Sequence, residues 1–323
     1  MGERTTGSQN QKQAAHGKRI NQLILEIYNK RITLAQMNST SDTSQNLQNQ
    51  GHQAVNAENY RQFGVRHFGY FNYLGLWTLY RKEVQRFIKV WMQTFVAPVV
   101  TTLLFLAIFS VALAGLRPDI NGLPFVNFLA PGLIMMAVVQ NAFANSSSSL
   151  LVAKVQGTVV DILMPPISPL ELNIAISIGG VTRGVAVGFG TYLGMIWFVP
   201  LAIYDVPALL FYAFVPSLIM AQLGLLAGIW AEKFDHMAAV TNFLITPLSF
   251  LSGTFYSVQQ LPDFAHTITQ YNPFFYMIDG IRYAMTGHSE GSLLFGIMFL
   301  TGLALILGVA CQRILMTGYR LKS

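Results

Sequence analysis

The stretch VPALLFYAFVPSLIMAQLGLLAGIW, residues 206–230, decides the fold because it holds no charged side chain over a length that matches a lipid bilayer. A hydrocarbon core about 30 Å thick is crossed by roughly 20 apolar residues at helical rise. Within such a core only helices or closed barrels satisfy their own backbone hydrogen bonds, and this stretch does not alternate as a barrel strand would. It therefore predicts a transmembrane helix.

Five further stretches of the chain have the same character. Of the 323 residues, 53% are hydrophobic and only 11% are charged, whereas about a quarter of the residues in a soluble domain are charged. Together the stretches predict an all-α integral membrane protein with six transmembrane helices. The six predicted spans are residues 94–116, 125–145, 172–200, 206–230, 237–255 and 292–311.

The basic residues predict the orientation. Residues 1–93 hold 12 of the 20 Lys and Arg residues. In the short flanks of the spans, eleven Lys and Arg lie on the side of the N-terminus, against only Arg117 and Arg282 on the other. By the positive-inside rule both termini are cytoplasmic. The net charge of +6 is interpreted as attraction to anionic membrane lipid, so no nucleic-acid partner is expected.

The chain before the first span divides into two parts. Residues 1–59 are rich in Gln, Asn, Ser and Thr, as in NSTSDTSQNLQNQGHQ, and predict a disordered polar extension. Residues 60–93 predict a cytoplasmic interfacial segment, and residues 94–323 the six-helix membrane domain.

The interfacial segment predicts an amphipathic helix in the inner headgroup layer. Aromatic and aliphatic residues recur at helical spacing, and charged residues cover the other face. We expect the aromatic residues to face lipid and the bases to face the cytosol. Two interpretations stay open, an anchor alone or an anchor that also contacts a partner. The candidate residues are Trp77, Arg81, Lys82, Glu83, Arg86 and Trp91.

The third span carries small residues along one face. Gly180, Gly184 and Gly188 are four apart and allow another helix to approach closely. Packing within one subunit is the favoured interpretation, and a dimer face is the second.

Arg183 lies in the middle of the same span. A charge there costs several kcal/mol, about 2.5–3.5 on insertion scales, unless it is paired or faces water. We expect Arg183 to face the helix bundle, either paired with carbonyl groups, Gln140 or Asn141 or placed on the substrate path.

Motifs for energy-consuming chemistry are missing from the sequence. The six predicted spans contain no Asp or Glu, which argues against proton coupling. The chain has no GxxxxGK[ST] or HExxH motif, and Cys311 is its single cysteine. We therefore expect no catalytic residue and no metal site, and the energy for uphill transport must come from another protein.

The inner loop after the second span, KVQGTVVDILMPPISPLEL, is stiff and weakly charged. It predicts a short helix over residues 158–163 with a rigid, proline-rich exit, followed by a carboxylate that opens the third span. A force-transmitting lever and a plain surface loop are both compatible with it. Its candidate residues are Gly157, Asp161, Pro165, Pro166, Pro169 and Glu171.

The outer segment between spans five and six, SGTFYSVQQLPDFAHTITQYNPFFYMIDGIRYAMTGHSEG, is too apolar for a solvated loop. It predicts two short helices, residues 264–270 and 274–283, broken at Asn272 and Pro273. This length suits a re-entrant hairpin in the outer leaflet. Asp279 and Arg282, three residues apart, can pair. The hairpin would act as a capping lid or as an outer gate.

Five ordered pieces resemble the membrane subunit of the ABC type-2 exporter family. They are RKEVQRFIKVWMQTFVAPVVTTLLFLAIF, FLAPGLIMM, GTVVDILMPPISPLEL, LSGTFYSVQQLP and YNPFFYMIDGIRYAMTG. The resemblance covers about residues 75–323 and leaves residues 1–59 outside.

The resemblance implies a function and its parts. The loop at 157–171 would be the coupling helix that contacts an ATPase, residues 77–92 the connecting helix, and Asn272, Pro273, Asp279 and Arg282 part of the re-entrant hairpin. Two permease copies would act with two ATPase subunits, which bind ATP and Mg²⁺, in export across the bacterial inner membrane. The alternatives are a stand-alone carrier or channel and a membrane scaffold without transport.

Overall fold

The computed structural model describes residues 71–113, 119–120, 122–260 and 262–319, together with Glu26, Lys30, Arg31 and Thr33. The chain divides into two units, Met1–Phe68 and Gly69–Ser323. In the first unit only those four residues are described, and they are helical. The predicted disordered extension, residues 1–59, therefore lies outside the described residues, as do residues 60–70 of the predicted interfacial segment.

The second unit is built from helices and one short hairpin. The helices are α1 (Tyr73–Ile88), α2 (Ala97–Leu113), α3 (Phe125–Val155), α4 (Val159–Leu163), α5 (Pro169–Met195), α6 (Val206–Trp230), α7 (Phe234–Val240), α8 (Thr246–Phe250), α9 (Asp263–Gln270), α10 (Pro273–Thr286) and α11 (Leu293–Thr317). Strands β1 (Asp119–Ile120) and β2 (Leu123–Pro124) pair antiparallel before α3. Wider π-helical turns, Met92–Val96 and Thr241–Ile245, precede α2 and α8, and a 3₁₀ turn, Val258–Gln260, precedes α9.

Among the described residues, five helices are long and apolar enough to cross a membrane. They are Met92–Ala112, which joins the first π turn to α2, and α3, α5, α6 and α11. Helix α6 has the predicted bounds, whereas α3 continues to Val155, well beyond its predicted end at residue 145. The prediction of a membrane protein built from apolar helices is confirmed.

The predicted fifth span, residues 237–255, is not among these five helices. Helix α7, the second π turn and α8 form one helical run over residues 234–250. This run is at the lower limit of the roughly 17–25 residues that cross a bilayer. Each π turn lies just before a proline, Pro98 or Pro247, which supplies no N–H to the preceding turn. Six spans therefore stays a prediction.

Helix α3 is the centre of the bundle. Its most apolar stretch is 83% buried, and it packs against α2, α5, α6 and α10. The glycine face of α5 lies against this centre: a Cβ on Gly180 would overlap Ser146 Oγ and Ala221 Cβ, and one on Gly188 would overlap Val138 Cγ2. This face packs within one subunit, as the favoured interpretation predicted. In contrast, the corresponding stretches of α2 and α11 are only 11% and 17% buried.

Candidate functional site

The start of α1 is tied to the inner loop between α3 and α5. Asn72 caps α1 by accepting a hydrogen bond from the Gly75 N–H at 2.9 Å. Its side-chain Nδ2 donates to the Pro166 carbonyl oxygen at 3.1 Å, and its backbone N–H donates to Glu171 Oε1. The N-terminal end of the interfacial helix and the loop are therefore held together by side chains.

Glu171 has both carboxylate oxygens occupied. While Oε1 accepts from Asn72, Oε2 accepts from the Ser168 N–H at 2.7 Å, and Ser168 Oγ accepts from the Glu171 N–H at 3.3 Å. This reciprocal arrangement is a capping box at the start of α5, with Pro169 in the first turn. The Glu171 side chain is 2% exposed, so it joins three elements instead of facing a partner.

One face of the inner loop packs against the protein, and the opposite face is exposed. Helix α4 has nearly the bounds predicted for the short helix. Its Val159 and Ile162 are buried against the inner ends of the bundle helices. Asp161 is exposed on this short helix. Gly157 turns the chain into the loop with a φ of +70° and has open space around it. Of the candidate residues in this loop, Gly157, Asp161, Pro165, Pro166 and Pro169 are exposed.

The exposed aromatic residues of the interfacial helix agree with a membrane-facing surface. Trp77 of α1 is 58% exposed, and Trp91, which follows the turn after α1, is 56% exposed. Arg81 and Lys82 are exposed as well. Leu79 and Phe87 instead point into the protein, where they are buried. Helix α1 therefore has a face that is buried in the protein, in addition to the predicted lipid-facing and charged faces.

Glu83 does not lie on a cytosolic face, which corrects the expected arrangement. It is 3% exposed, and its carboxylate accepts from Ser149 Oγ of α3 at 2.6 Å and pairs with Arg86 at 2.8 Å. Arg86 also donates to Ser148 Oγ at 2.8 Å and to the Asn145 carbonyl oxygen at 2.6 Å. The α3 hydroxyl groups supply the partners that allow a carboxylate to be buried here.

Two sequence signals could have revealed the burial of Glu83. One is the run NSSSS at residues 145–149, which places hydroxyl groups at the inner end of a predicted apolar span. The other is Gly179 of α5, where a Cβ would come within 2.8 Å of Glu83 Cβ. Charge patterning along α1 alone could not show that another helix covers its polar side.

Arg183 faces the bundle, as predicted. Its guanidinium donates to Asn141 Oδ1 of α3 at 3.2 Å, and the side chain is half-buried. Among the described residues, its Nε atom has no hydrogen-bond acceptor. Of the two side-chain partners expected for Arg183, the structure uses Asn141.

The outer segment forms the two predicted short helices, α9 and α10, with the break at residues 271 and 272. Asn272 caps α10 by accepting from the Phe274 N–H at 3.0 Å, and Pro273 occupies the first helical position. The Asn272 Nδ2 donates to the Leu248 carbonyl oxygen at 3.2 Å and to Ser252 Oγ at 2.8 Å. The cap therefore also ties α10 to the end of α8.

Arg282 is a buried clamp between α10 and two other segments. It is 1% exposed and donates to the carbonyl oxygens of Phe128 at 3.3 Å and Gly253 at 2.7 Å. Its guanidinium carbon lies 3.7 Å from the centre of the Phe128 ring, a cation–π contact. The predicted pair with Asp279 is present, with 3.9 Å between NH1 and Oδ1.

Asp279 holds the loop that leads to α11. It accepts hydrogen bonds from the N–H groups of Glu290 at 2.8 Å and Gly291 at 3.0 Å. Burial raises the pKa of the Asp279 carboxyl, and these N–H donors and Arg282 oppose that rise. Asp279 and Arg282 are thus packing partners within the outer segment.

A groove that sequence reasoning missed lies between α2, α3 and α8. Its volume is about 410 Å³. One part of its wall is apolar and aromatic, and the other carries amides and hydroxyl groups. The lining residues are Gln93, Ala97, Pro98, Thr101, Thr102, Phe105, Leu133, Met136, Ala137, Gln140, Asn141, Thr246 and Phe250. Within the described ranges, no three His, Cys, Asp or Glu side chains come together as metal ligands.

Long apolar helices packed around a central one are the architecture of a helical membrane protein. The family model for ABC-2 type transporters matches residues 75–286, and the chain belongs to this family. It is 34% identical over 254 residues to the inner membrane transport permease YadH of Escherichia coli strain K12, covering 78% of this chain and 98% of YadH. The protein is a transporter permease, a multi-pass protein of the bacterial inner membrane.

A second group of relatives, the nodulation proteins J, matches a smaller part of the chain. Nodulation protein J of Rhizobium leguminosarum bv. trifolii is 36% identical over 72 residues, which cover 22% of this chain and 28% of that protein. Nodulation protein J of Sinorhizobium fredii is 26% identical over 187 residues, which cover 54% and 67%.

Proposed function

We propose that this chain is the permease subunit of an ATP-binding-cassette exporter and forms the translocation path as a dimer. A separate ATPase, present in two copies, would bind ATP and Mg²⁺ and drive transport through the inner loop at residues 154–171. The observation that carries the proposal is the junction of Asn72, Pro166 and Glu171, which joins this loop to the interfacial helix.

The loop is suited to receive a force because its two faces differ. Its exposed face presents Asp161 beside stiff proline peptides, while Val159 and Ile162 pack into the protein. It connects α3 and α5 directly, and Asn72 links it to α1. A partner that pushes on the exposed face would therefore move three helices together.

The ion pair of the buried Glu83 and the half-buried Arg86 extends this coupled unit. Through Ser148, Ser149 and Asn145 it fastens the middle of α1 to α3. The buried Glu83 carboxylate would lose the Ser149 hydroxyl group if α1 left α3, so separating the two helices is costly. This favours α1 moving with α3.

The groove between α2, α3 and α8 favours a dimeric path. It is open on one side, and the apolar stretch of α2 beside it is only 11% buried. Polar groups that face the hydrocarbon need a partner or water. A second copy placed against α2 would close the groove and separate its polar wall from lipid.

The test is reconstitution with an ATPase that carries a GxxxxGK[ST] sequence and is encoded beside this chain. We expect the two proteins to co-purify and ATP turnover to depend on the permease. Asn72→Ala should lower the permease-dependent turnover while the complex still forms. Ion- or proton-driven flux by the chain alone would instead indicate a stand-alone carrier, and the absence of any complex or flux would indicate a scaffold.

A further inference from the structure

Three hydrogen-bond donors that lack an acceptor lie on neighbouring side chains of α1, α3 and α5. Within the described residues these buried donors are Arg86 Nε, Asn145 Nδ2 and Arg183 Nε. Arg86 Nη2 donates to Asn145 Oδ1 at 3.2 Å, and Arg183 Nη2 donates to Asn141 Oδ1 at 3.2 Å. Asn141 and Asn145 are one helical turn apart on α3, so they bring the two guanidinium groups together. We call these four residues the arginine cluster.

The arginine cluster carries an uncompensated positive charge. Arg86 is paired with Glu83 at 2.8 Å, whereas Arg183 has no carboxylate partner in the part of the chain that the structure describes. Two guanidinium groups against one carboxylate leave a charge of one. Buried polar groups almost always find a partner, and an arginine in a membrane span is stable only when it is paired or reaches water. Since the unused atoms are all donors and the charge is positive, the missing partner is an anion.

The cluster lies at the depth of lipid phosphate groups. Helix α3 begins at Phe125, and Asn145 follows 20 residues later, which is about 30 Å at the rise of an α-helix. The hydrocarbon core of a bilayer is about 30 Å thick, so Asn145 reaches its boundary with the headgroups. Exposed aromatic residues such as Trp91 are typical of this boundary. Arg86 and Arg183 are both partly exposed, so a headgroup can reach them.

The cluster is distinct from the groove between α2, α3 and α8. Asn141 lines that groove, but Arg86, Asn145 and Arg183 do not. Its other neighbours are on α1 and α5, where Tyr80 and Thr182 share a hydrogen bond at 3.1 Å. An anion at the cluster therefore lies at the junction of α1, α3 and α5.

We propose that the arginine cluster binds the phosphodiester group of an anionic phospholipid, which stays with the protein as a resident counter-ion. A guanidinium group presents planar pairs of N–H donors that match the oxygens of a phosphate. The single negative charge of the phosphodiester balances the cluster. Phosphatidylethanolamine also brings an ammonium group, which two arginines repel. The bound lipid joins α1, α3 and α5 at one point and needs neither an ATPase nor a second copy.

The test measures lipid binding to the purified, delipidated full-length chain in a nonionic detergent. Native mass spectrometry counts bound phosphatidylglycerol and phosphatidylethanolamine with identical acyl chains, and thermal unfolding follows the same titrations. We expect one saturable phosphatidylglycerol site that raises the unfolding temperature. Its binding should be at least about tenfold tighter than that of phosphatidylethanolamine, a difference of about 1.4 kcal/mol. Sodium phosphate or sodium chloride at the concentration of the lipid should leave the unfolding temperature unchanged.

Variants locate the binding site. Arg183→Gln keeps a donor for Asn141 but removes the charge, and should weaken phosphatidylglycerol binding at least about tenfold. Asn141→Asp keeps both arginines and gives Arg183 a carboxylate partner, so the protein supplies its own counter-charge. It should lose phosphatidylglycerol binding and, free of lipid, unfold at a higher temperature than the original chain. The matched control is Arg313→Gln, the same change at an exposed arginine of α11, which should bind the lipid unchanged.

Three results would overturn the inference. One is unchanged phosphatidylglycerol binding in Arg183→Gln and Asn141→Asp, and another is an equal loss in Arg313→Gln, since binding would then follow the total surface charge. The third is the same rise in unfolding temperature with sodium phosphate or chloride, which would make the ligand a free ion. If Arg183→Gln does not fold, Asn141→Asp decides, because it retains both guanidinium groups. Lack of ATP-driven transport would defeat the proposed function and leave this binding result intact.

Discussion

Asn72 and Glu171, 99 residues apart in the chain, meet where the interfacial helix begins and the third predicted span starts. Each also caps a helix, α1 for Asn72 and α5 for Glu171. Because each residue both caps a helix and links two elements, a change in its position would disturb the cap and the link together. The junction can therefore act as a fixed joint between α1 and the inner loop.

We predict that Asn72→Ala loosens this joint. The substitution removes the cap of α1, typically worth about 1 kcal/mol, and the hydrogen bond to the Pro166 carbonyl oxygen. Permease-dependent ATP turnover should fall several-fold while membrane insertion is unchanged. Ser292→Ala is the matched control because it removes the cap of α11, where Ser292 accepts from the Phe295 N–H, without a contact to the loop. Equal effects of the two variants would show that capping alone matters.

A second prediction concerns the exposed face of the inner loop. Asp161 is exposed and forms no ion pair among the described residues, so Asp161→Arg should leave folding unchanged. If an ATPase docks on this face, the reversed charge should weaken co-purification and ATP turnover several-fold. Asp235→Arg, at the exposed start of α7, is the control for a charge reversal elsewhere. Full coupling in Asp161→Arg would contradict the docking face.

The third prediction tests the ion pair of Glu83 and Arg86. Glu83→Ala leaves Arg86 and Ser149 without a carboxylate partner and should lower the free energy of unfolding by roughly 1–3 kcal/mol. Thermal unfolding of the purified protein in detergent measures this loss. Replacing the pair together, Glu83→Met with Arg86→Leu, should restore most of it, because no uncompensated charge remains. If the double variant is less stable than Glu83→Ala, the pair is not the source of the loss.

The sequence predicted the features that depend on local pattern. Apolar length identified α6 with its correct bounds, and the proline and glycine positions identified α4. The break at Asn272 was predictable because a cap followed by Pro273 begins a helix. These features are set by neighbouring residues in the chain.

The features that the sequence did not predict depend on contacts between distant residues. Charge patterning placed Glu83 toward the cytosol, but Ser149, 66 residues away, supplies a partner that allows its burial. Gln140 gave no sign of the groove, because a groove is a gap between helices whose positions no short stretch of sequence fixes. The end of α3 was misplaced for the same reason: its serines are polar by composition but buried by packing.

The last prediction concerns the clamp in the outer segment. Arg282→Ala removes the hydrogen bonds to the Phe128 and Gly253 carbonyl oxygens and leaves Asp279 buried without its counter-charge. Breaking a buried ion pair in this way costs about 3–5 kcal/mol, so the variant should unfold at a clearly lower temperature. Arg282→Lys should recover little, since an ammonium group cannot reproduce the planar donors and the stacking on the Phe128 ring. Arg313→Ala, at an exposed site near the end of α11, is the control and should keep the original unfolding temperature. If Arg282→Ala keeps that temperature and changes only transport, then Arg282 is a moving part of an outer gate and not a clamp.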